Sequence, residues 1–500
     1  MSDTDALPVD LGASFDNAYA RLPDRLFARV APTPVAAPSL LALNRELAGQ
    51  LGLSAERLAD EAGIAALAGS RAFEGAEPLA MAYAGHQFGN WVPQLGDGRA
   101  ILLGEVIDTA GQRRELQLKG AGRTPWSRGG DGRAGIGPVL REYVVSEAMH
   151  ALGVPTTRAL AAVASGETVL REQPLPGAVL TRVARSHVRV GTFQYFTARG
   201  DTEAVEALMH HVIEHHYPQL SSAERPALAL LDAVMQRQAA LVAQWMSLGF
   251  IHGVMNTDNC SVLGDTIDYG PCAFMDTFHA ERVFSSIDVQ ARYAWSSQPA
   301  MAHWNTAQLA QCLLPLIDAD PQTALPLAQA SVDRFEALFS DSWSARLGAK
   351  IGFAPGSTDS PDAAARILAL GRDYLSLLQE GEADFTRGFR VADDVDAARA
   401  LLDAEPVRLD RWWAARDAAL AEAGIGAEAA SATMRAANPV RIPRNHRIEQ
   451  MIVAADSGDL APLQALSAAL ANPFEENADL ADFEKPPSAG ERVERTFCGT

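Results

Sequence analysis

The residues with the clearest chemical potential lie in one segment, His252 to Gly270, which is rich in Asp, Asn and Gly. A kinase catalytic loop has a His, an Asp two residues later and an Asn seven residues after the His, followed by an Asp-x-Gly that binds metal. In this chain Asn259 stands seven residues after the His, and Asp268 begins an Asp-Tyr-Gly. Because Asn and Asp oxygens suit Mg²⁺ on nucleotide phosphates, the segment favours phosphate chemistry.

One position of this segment departs from the kinase pattern. The residue two after His252 is Val254, so the usual catalytic Asp is absent, and Asp258 stands beside Asn259 instead. The departure leaves two interpretations open, an active enzyme and a catalytically inactive pseudokinase scaffold.

A second candidate pair is Lys119, which ends the strand-like run ELQLK, and Glu142, twenty-three residues later on the next predicted helix. In kinases a strand lysine holds nucleotide phosphates while a helix glutamate orients its ammonium group. A surface lysine and a solvated glutamate are the alternative that this spacing leaves open.

Lysine is rare in this chain, which has three lysines among its 42 Lys and Arg residues. A codon bias towards Arg explains most of this imbalance. Lys350 and Lys485 fall in a helical region and near the end of the chain, where no motif requires them. Lys119 falls where a nucleotide site needs a compact ammonium, for which guanidinium is a poor substitute.

Glycine-rich stretches lie on both sides of Lys119, at residues 85–99 and 120–133. Glycine lets the backbone approach a phosphate closely, and turn amides together with an arginine can bind its oxygens. An ordinary hairpin turn at residues 96–98 is the alternative for the first stretch. That stretch matches neither a Walker A loop nor a Rossmann fingerprint.

A histidine-rich segment offers a different chemistry. His211 and His215 have the HxxEH spacing of inverted zinc proteases. A zinc site needs a third protein ligand, and the adjacent His210 and His216 are typical of a generic His-rich helix face. A zinc hydrolase stays an alternative.

The elements that must position these residues begin with a small mixed region. The sequence predicts strands at 99–106 and 115–119, followed by a helix over 138–152. Two more strand candidates follow, one over 159–172 with a turn at Ser165-Gly166 and one over 177–184.

From about residue 201 onward the pattern is helical and rich in Ala and Leu, apart from the interruption at 250–276. These patterns predict an α+β, protein-kinase-like bilobal fold with a small mixed N-lobe and a larger, mainly helical C-lobe. The expected organisation is an extension packed on the core (1–80), an N-lobe with nucleotide-binding turns (81–200), a helical C-lobe with the catalytic and metal loop (201–472) and a flexible tail (473–500).

Composition excludes several classes of protein. The net charge of -20 argues against a general nucleic-acid binder or a polybasic membrane-surface protein. Four cysteines without a CxxC pair indicate a reducing compartment, and the N-terminal segment lacks the features of a secretory signal. We expect a cytoplasmic monomer that binds neither nucleic acid nor membrane.

Four long motifs resemble the selenoprotein O family, known in bacteria as the YdiU-type proteins. They lie at residues 83–105, 116–156, 250–276 and 438–450. The resemblance implies a kinase-like fold that binds ATP in an inverted orientation, with Mg²⁺ or Mn²⁺. It also implies transfer of AMP to Ser, Thr or Tyr hydroxyls of proteins, with release of pyrophosphate.

The resemblance also implies the roles of individual residues. Asp258 matches the family's proton acceptor, Asn259 a metal ligand, and Asp268 a ligand of both metal and ATP, while Glu142 would support Lys119. The missing Asp at Val254 is then a family trait. The implied nucleotide contacts are Gly96, Gly98, Arg99, Lys119, Asp131, Gly132, Arg182, Arg189 and Asp268.

A redox role for two cysteines is implied by the same resemblance. The family pattern suggests a disulfide between Cys272 and Cys498 that restricts the enzyme under oxidising conditions. The alternatives are a buried small hydrophobic residue at Cys272 and an idle thiol at Cys498, and Cys260 and Cys312 are expected in the core.

Alternatives to AMP transfer stay open at this point. The first is another nucleotide reaction, either transfer of UMP from UTP or kinase-type phosphate transfer. The second is the inactive pseudokinase scaffold that Val254 suggests.

Overall fold

The structure, a computed structural model, describes residues 7–357, 360–402 and 406–497. It mixes a large antiparallel sheet with many helices, which confirms the predicted α+β class. The predicted division into domains and the kinase-like arrangement stay predictions at this point.

Most strands belong to one antiparallel sheet in the N-terminal part of the chain. Its order is β1-β3-β6-β7-β10-β9-β2, with β8 paired to β10, while β4 pairs with β5 and β11 with β12. The strands are β1 (Phe27–Arg29), β2 (Ser39–Leu43), β3 (Leu79–Met81), β4 (Gly85–Gln87), β5 (Asn90–Val92), β6 (Ala100–Ile107), β7 (Arg113–Lys119), β8 (Ala134–Gly135), β9 (Arg158–Leu170), β10 (Pro174–Ala184), β11 (Phe250–Ile251) and β12 (Ala273–Phe274).

The first four helices of the described chain lie between strands of the sheet, and the others follow one another through the C-terminal part. The helices are α1 (Arg45–Gln50), α2 (Ala55–Leu58), α3 (Glu61–Leu67), α4 (Ile136–Ala151), α5 (Val190–Thr197), α6 (Thr202–His216), α7 (Pro226–Ser247), α8 (Gln298–Ile317), α9 (Pro321–Val332), α10 (Phe335–Lys350), α11 (Pro361–Glu380), α12 (Phe385–Arg390), α13 (Val395–Leu401), α14 (Pro406–Glu422), α15 (Ala427–Ala437), α16 (Asn445–Asp456) and α17 (Ala461–Leu470).

The centre of the sheet is the antiparallel pair β6 and β7, whose central side chains are buried. Their register pairs Ala100 with Lys119 and Glu105 with Glu115. Because side chains alternate between the two faces of a strand, this register fixes which groups Lys119 and the two glutamates can meet. Strands β1 and β2, which the sequence did not predict, extend the same sheet at its two edges.

The turn predicted at Ser165-Gly166 is wrong, since β9 runs through it as one strand. The pairing with β10 shifts register at this point, which is a β-bulge. Gly166 has φ +70°, and a Cβ atom there would lie 2.6 Å from the Ala37 Cβ atom. Gly166 therefore marks a β-bulge beside a close contact with Ala37, and the chain does not reverse there.

Helix α4 confirms the helix predicted over 138–152 and is buried between two layers. It packs against β9 and β10 on one side and against α16 and α17 on the other. Gly137 permits this close approach, because a Cβ atom there would lie 3.0 Å from Ile452 Cγ2. The C-terminal helices therefore hold the helix that carries Glu142.

The predicted interruption at 250–276 is a loop closed by two short strands. Phe250 pairs with Phe274 and Ile251 with Ala273, and both aromatic rings are fully buried. The intervening loop is thereby held in a fixed position within the helical part. In the portion of the chain that the structure describes, no helix is both long and apolar enough to cross a membrane.

Candidate active site

A cavity of about 900 Å³ lies between loops of the sheet and the 252–270 loop. Arginine, glycine and carboxylate groups all face it, which is the composition expected of a phosphate site. Its lining includes Gln87, Phe88, Gly96, Gly98, Arg99, Trp126, Asp131, Gly132, Arg171, Val254, Asp258, Asn259, Asp268 and Ile287.

The predicted glycines allow the loops of the cavity to pack on one another. A Cβ atom at Gly96, where φ is +71°, would lie 2.2 Å from Cγ of Trp126, and one at Gly98 would lie 2.8 Å from the Trp126 carbonyl oxygen. At Gly132, with φ +69°, it would lie 2.0 Å from the Gly122 carbonyl oxygen. Glycine is required at these positions to close the loops against each other.

The hairpin turn considered at residues 96–98 is not there, because this segment connects β5 to β6. The hairpin lies earlier, between β4 and β5, where Phe88 and Gly89 have φ values of 50° and 82°. Two successive positive φ values are typical of a type I′ turn.

This β4–β5 hairpin docks on the 252–270 loop. The His86 amide donates to Thr257 Oγ1 at 2.7 Å, and Gln87 Nε2 donates to Asp258 Oδ2 at 3.4 Å. Gln87 therefore contacts the candidate base directly. The sequence interpretation assigned it no role, although it lies in one of the long family motifs.

Lys119 and Glu142 form the expected ion pair, and the surface-lysine alternative is wrong. Lys119 Nζ lies 2.6 Å from Glu142 Oε2 and 2.9 Å from Asp268 Oδ1. Glu142 is 3% exposed, and its other oxygen accepts a hydrogen bond from Arg182 Nε at 2.7 Å. One glutamate thus orients both a lysine and an arginine.

The charges of this network determine how its carboxylates ionise. Burial opposes ionisation of Asp268, but Lys119 and Arg182 hold the pKa of its carboxyl group well below the ordinary value of 3.8. Burial likewise opposes ionisation of Glu142, and the same two cations keep the pKa of Glu142 lowered. Both carboxylates are therefore ionised at neutral pH.

The carboxyl group of Asp258 has a raised pKa, although Asp258 lines the same cavity as Asp268. Burial raises the pKa of its carboxyl group to about 6, and the positive charge of Arg189 only partly opposes this effect. Asp258 Oδ1 is buried and has no hydrogen-bond partner among the described residues. A carboxylate with a free oxygen and a pKa near neutrality is suited to accept a proton.

Arg189 is buried behind Asp258. Its Nη1 donates to the Asp258 carbonyl oxygen at 3.1 Å, and its guanidinium carbon lies 4.4 Å from the centre of the Tyr83 ring. Asp97 Oδ1 is 3.9 Å from Arg189 Nη2. Protein groups therefore hold Arg182 and Arg189 in this structure, directly behind residues that line the cavity.

Asn259 and Asp268 could hold a divalent cation. Asn259 Nδ2 donates to the Val254 carbonyl oxygen at 3.0 Å, which leaves the side-chain oxygen as a donor to a metal. Mg²⁺ is usually bound by one or two protein oxygens together with substrate phosphates, so these two residues fit such an ion. Val254 is buried at the wall of the cavity.

Asp131 lines the cavity, but its carboxylate already has a partner. Arg171 binds both oxygens, with Nη1 at 2.9 Å from Oδ2 and Nη2 at 3.1 Å from Oδ1. The Arg133 amide also donates to Asp131 Oδ1 at 2.9 Å. In this structure Asp131 therefore closes the loop beside Gly132.

The histidine motif has a structural explanation. His211 is buried against the Tyr19 ring, with ring centres 5.6 Å apart. Across the described parts of the chain, no group of three or more His, Cys, Asp or Glu side chains is arranged to hold a metal ion. The zinc alternative therefore finds no support.

Of the two predicted redox residues, Cys272 is buried and Cys498 lies outside the described residues. The described end of the chain nevertheless approaches the Cys272 segment. The Thr496 hydroxyl donates to the carbonyl oxygen of Pro271, and the Thr496 amide donates to the Phe284 carbonyl oxygen at 2.8 Å.

The chain is similar to known proteins over nearly its whole length. The family model described as "Protein adenylyltransferase SelO" matches residues 10–471. A relative from Rhodopseudomonas palustris (strain BisB5), named "Protein nucleotidyltransferase YdiU", is 56% identical over 497 residues, or 97% of this chain and 99% of the relative. Relatives with the same name from a Bradyrhizobium species and from Methylorubrum extorquens are 55% and 53% identical, with the same coverage.

These matches span nearly the whole chain and include every residue of the cavity described above. The resemblance inferred from four motifs is thereby confirmed, as is the expectation of an enzyme. The chain belongs to the SelO family of nucleotidyltransferases.

Proposed function

We propose that this protein transfers AMP from ATP to Ser, Thr or Tyr hydroxyls of proteins and releases pyrophosphate. The observation that carries the proposal is a cationic network around one cavity carboxylate, Asp268, next to a second cavity carboxylate, Asp258, with one oxygen that has no partner among the described residues. Lys119 and Arg182 supply the positive charge, and Asp258 supplies the carboxylate. Nucleotidyl transfer requires stabilisation of the leaving group and activation of the acceptor hydroxyl. These neighbouring groups are suited to supply both.

Asp258 acts on the acceptor hydroxyl. Its carboxylate receives the hydroxyl proton as the hydroxyl oxygen attacks the α-phosphorus, while Gln87 donates to Oδ2. Such a base contributes about 10²–10⁴-fold, so positioning and electrostatics supply the remainder of the acceleration.

The cationic residues act on the departing pyrophosphate. Arg99 lines the cavity, Lys119 lies against Asp268, and Arg182 and Arg189 lie behind them. A Mg²⁺ or Mn²⁺ ion on Asn259 and Asp268 would neutralise further phosphate charge. Arg182 and Arg189 are held by protein groups in this structure, so their contacts with phosphate require a small side-chain adjustment.

We also propose that the architecture is kinase-like and bilobal. The support is the order of the parts along the chain, with Lys119 on a strand, Glu142 on the next helix, and Asn259 and Asp268 in a loop among helices. Within that framework Val254 replaces the usual catalytic Asp, and Asp258 takes over the role of base.

A redox control by Cys272 and Cys498 is part of the proposal. Its support is the bond from Thr496 to Pro271, the residue before Cys272, because this contact brings the end of the chain to the buried cysteine. Mass mapping under non-reducing conditions after oxidation tests it, and a Cys272–Cys498 link is the expected product.

Three labelled nucleotides test the main proposal. The protein is incubated with a protein acceptor and with ATP labelled at the α-phosphate, ATP labelled at the γ-phosphate, or UTP labelled at the α-phosphate. We expect protein-bound label from α-labelled ATP. Label only from the γ position would establish phosphate transfer, and label only from UTP would establish uridylyl transfer.

The pseudokinase alternative needs a separate control. Asp258→Asn and Asp268→Asn variants that fold like the wild type should lose label transfer. If both variants modify every acceptor as well as the wild type does, the cavity is not catalytic and the pseudokinase scaffold is the favoured interpretation.

A further inference from the structure

Two buried glutamates behind the active site have no role in the chemistry described so far. Glu105 on β6 and Glu115 on β7 are direct cross-strand partners, and each is 1% exposed. Like charges placed opposite each other in a sheet destabilise it. A buried pair of acids therefore calls for a physical explanation.

Glu115 holds the start of the segment that leads to Arg189. Its Oε2 accepts hydrogen bonds from the His187 amide at 2.7 Å and from His187 Nδ1 at 2.6 Å. Its Oε1 accepts a hydrogen bond from Ser186 Oγ at 3.1 Å. Three donors from two adjacent residues thus converge on one carboxylate.

The same segment holds the Arg189 side chain. The His187 carbonyl oxygen accepts a hydrogen bond from Arg189 Nε at 3.1 Å, and Arg189 Nη1 reaches the Asp258 carbonyl oxygen. The chain of contacts therefore runs from Glu115 through His187 to Arg189, and from there to the base loop.

Glu105 has its own partners on the other side of the pair. Its Oε1 accepts a hydrogen bond from the Tyr19 amide at 2.7 Å, and its Oε2 lies 2.8 Å from Arg113 Nη1. Arg113 also binds Asp16, so its charge is shared between two carboxylates.

We propose that Glu115, in its ionised form, is a positioning residue that places Arg189 for nucleotide binding, and that Glu105 sets the pH at which it does so. The inference rests on the proposed function only in assigning Arg189 to the nucleotide. The positioning contacts themselves lie outside the cavity.

The charges around the pair support this coupling. Burial raises the pKa of both carboxyl groups from 4.5 to about 7, and Glu115 adds to the rise at Glu105. Burial, with Arg182 and Arg189, lowers the pKa of His187 far below 6.5, so its ring is neutral and donates through Nδ1. The charged and titratable groups that act on the pair directly are Tyr19, Arg113, His187 and Arg189. Around these, Asp97 and Arg182 act on His187, while Asp16 and, from α6, His211, His215 and His216 act on Arg113.

The sign of the effect follows from these charges. A protonated Glu115 is a weaker acceptor for the His187 amide than the carboxylate, so the segment is held more firmly as pH rises through about 7. Removing the negative charge of Glu105 lowers the pKa of Glu115 and moves this transition to lower pH.

The test uses the full-length protein as wild type, Glu105→Gln and Glu115→Gln, with Glu147→Gln as the matched control. Glu147 is half-buried and paired with Arg158, and it lies outside the cavity. ATP affinity with Mg²⁺ is measured between about pH 5 and pH 9. The titration of ATP itself is common to all four proteins and cancels in the comparison.

We expect the ATP affinity of the wild type and of Glu147→Gln to rise with pH, with the same midpoint pH in both proteins. In Glu105→Gln the midpoint should fall by at least about half a pH unit. In Glu115→Gln the protein-specific transition should vanish and binding at about pH 8 should be roughly tenfold weaker, as for loss of one charged hydrogen bond. If the two glutamates were merely structural, both variants would be less stable but the midpoint pH of ATP binding would not move.

A nucleotide-free measurement separates this inference from the proposed function. Amide hydrogen exchange of the peptide containing residues 186–189, corrected for its intrinsic pH dependence, should show the same shift in Glu105→Gln. If the exchange midpoint shifts but no AMP is transferred, the positioning role stands and the proposed function fails. If AMP is transferred and neither midpoint moves in Glu105→Gln, the positioning role is overturned.

Discussion

Asp258 and Asp268 stand ten residues apart in the sequence and line the same cavity, yet their surroundings give them opposite acidities. Asp258 is buried and Asp268 is half-buried, and burial by itself raises the pKa of a carboxyl group. At Asp268 the positive charges of Lys119 and Arg182 outweigh the effect of burial on the pKa. At Asp258 the positive charge of Arg189 only partly opposes burial, and the pKa is raised to about 6. This separation suits one carboxylate to bind cations and the other to accept a proton.

The pH dependence of turnover should reflect Asp258. Because only the ionised form accepts a proton, kcat should rise with pH through about 6, the raised pKa of this carboxyl group. Asp258→Asn should lower kcat by about 10²–10⁴-fold and remove this rise. Steady-state rates of AMP transfer from pH 5 to pH 8 measure kcat and its pH dependence. An Asp258→Asn variant with the pH profile of the wild type would contradict the role of Asp258 as the base.

Lys119→Arg should abolish most activity without unfolding the protein. The ammonium is 2.6 Å from Glu142 and 2.9 Å from Asp268, and the larger planar guanidinium cannot reproduce both contacts in the same space. The matched control is Lys485→Arg, because Lys485 is exposed and pairs only with Asp482 among the described residues. AMP transfer and thermal unfolding of both variants are compared, and full activity in Lys119→Arg would refute the requirement.

Lys350, for which no motif suggested a role, is buried in the helical part. It is 2% exposed, and its Nζ lies 4.2 Å from the centre of the Phe389 ring. None of the described residues forms an ion pair with it, and burial lowers the pKa of its ammonium from 10.5 to about 7. Its contribution is therefore packing and a cation–π contact, with a cost for burying the charge.

Replacing Lys350 with Met should remove a pH dependence of stability. Because the folded protein releases this proton above about pH 7 and the unfolded chain only near 10.5, the free energy of unfolding of the wild type should rise with pH in that interval. The slope relative to Lys350→Met is at most about 1.4 kcal/mol per pH unit. Urea unfolding at pH 7 and pH 9 measures it, and equal slopes would contradict the buried charge.

At the scale of elements, α4 is held between the sheet and the C-terminal helices. Arg141 on α4 forms an ion pair with Glu449 on α16. At the start of α16, Arg444 Nη1 lies 2.5 Å from Asp276 Oδ1 and 2.8 Å from Asp384 Oδ2. Arg444 therefore connects the helix that braces α4 to the segment that follows the catalytic loop.

Arg444→Met should be strongly destabilising. Arg444 is 1% exposed, and its loss leaves the buried carboxylate of Asp384 and the half-buried carboxylate of Asp276 without this cation. Breaking a buried ion pair in this way costs about 3–5 kcal/mol. Chemical unfolding is the measurement, with Arg447→Met as the control. Arg447 lies one turn along, is half-buried and forms no ion pair with the described residues, so a loss of similar size there would contradict this explanation.

At the scale of the whole molecule, the C-terminal segment returns to the region beside the active site. Thr496 pairs with the loop at 284–286 through its amide and carbonyl groups, and its hydroxyl bonds to Pro271. The same loop provides Ile287 to the cavity. The end of the described chain thus supports the outer wall of the site.

Deleting residues 488–500 should loosen that wall and leave the fold intact. The Ser286 amide loses its partner, the Thr496 carbonyl oxygen, so its hydrogen exchange should accelerate, at least about tenfold for a locally opened loop. No described residue beyond Ile287 lines the cavity, so AMP transfer should persist. Thr496→Val, which keeps the backbone bonds, is the control, and unchanged exchange after the deletion would contradict the contact.

Much of the local structure was accessible from the sequence. The helix carrying Glu142 and the loop at 250–276 were predicted close to their observed bounds, because capping residues and hydrophobic periodicity are local signals. The bulge at Gly166 and the strands at residues 27–43 were not, since glycine marks bulges and turns alike and edge strands are specified by distant partners.

The sequence by itself determined the reactive residue types, their order along the chain and, through four motifs, the family. Only the tertiary structure decided which groups meet. Lys119 reaches Asp268 across 149 residues, and Gln87 reaches Asp258 across 171. The acidity of a buried carboxyl group depends on the cations within a few ångströms and on the water excluded around it, and neither is specified by neighbours in sequence. For that reason the opposite acidities of Asp258 and Asp268, and the glutamate pair behind Arg189, are visible only in the folded chain.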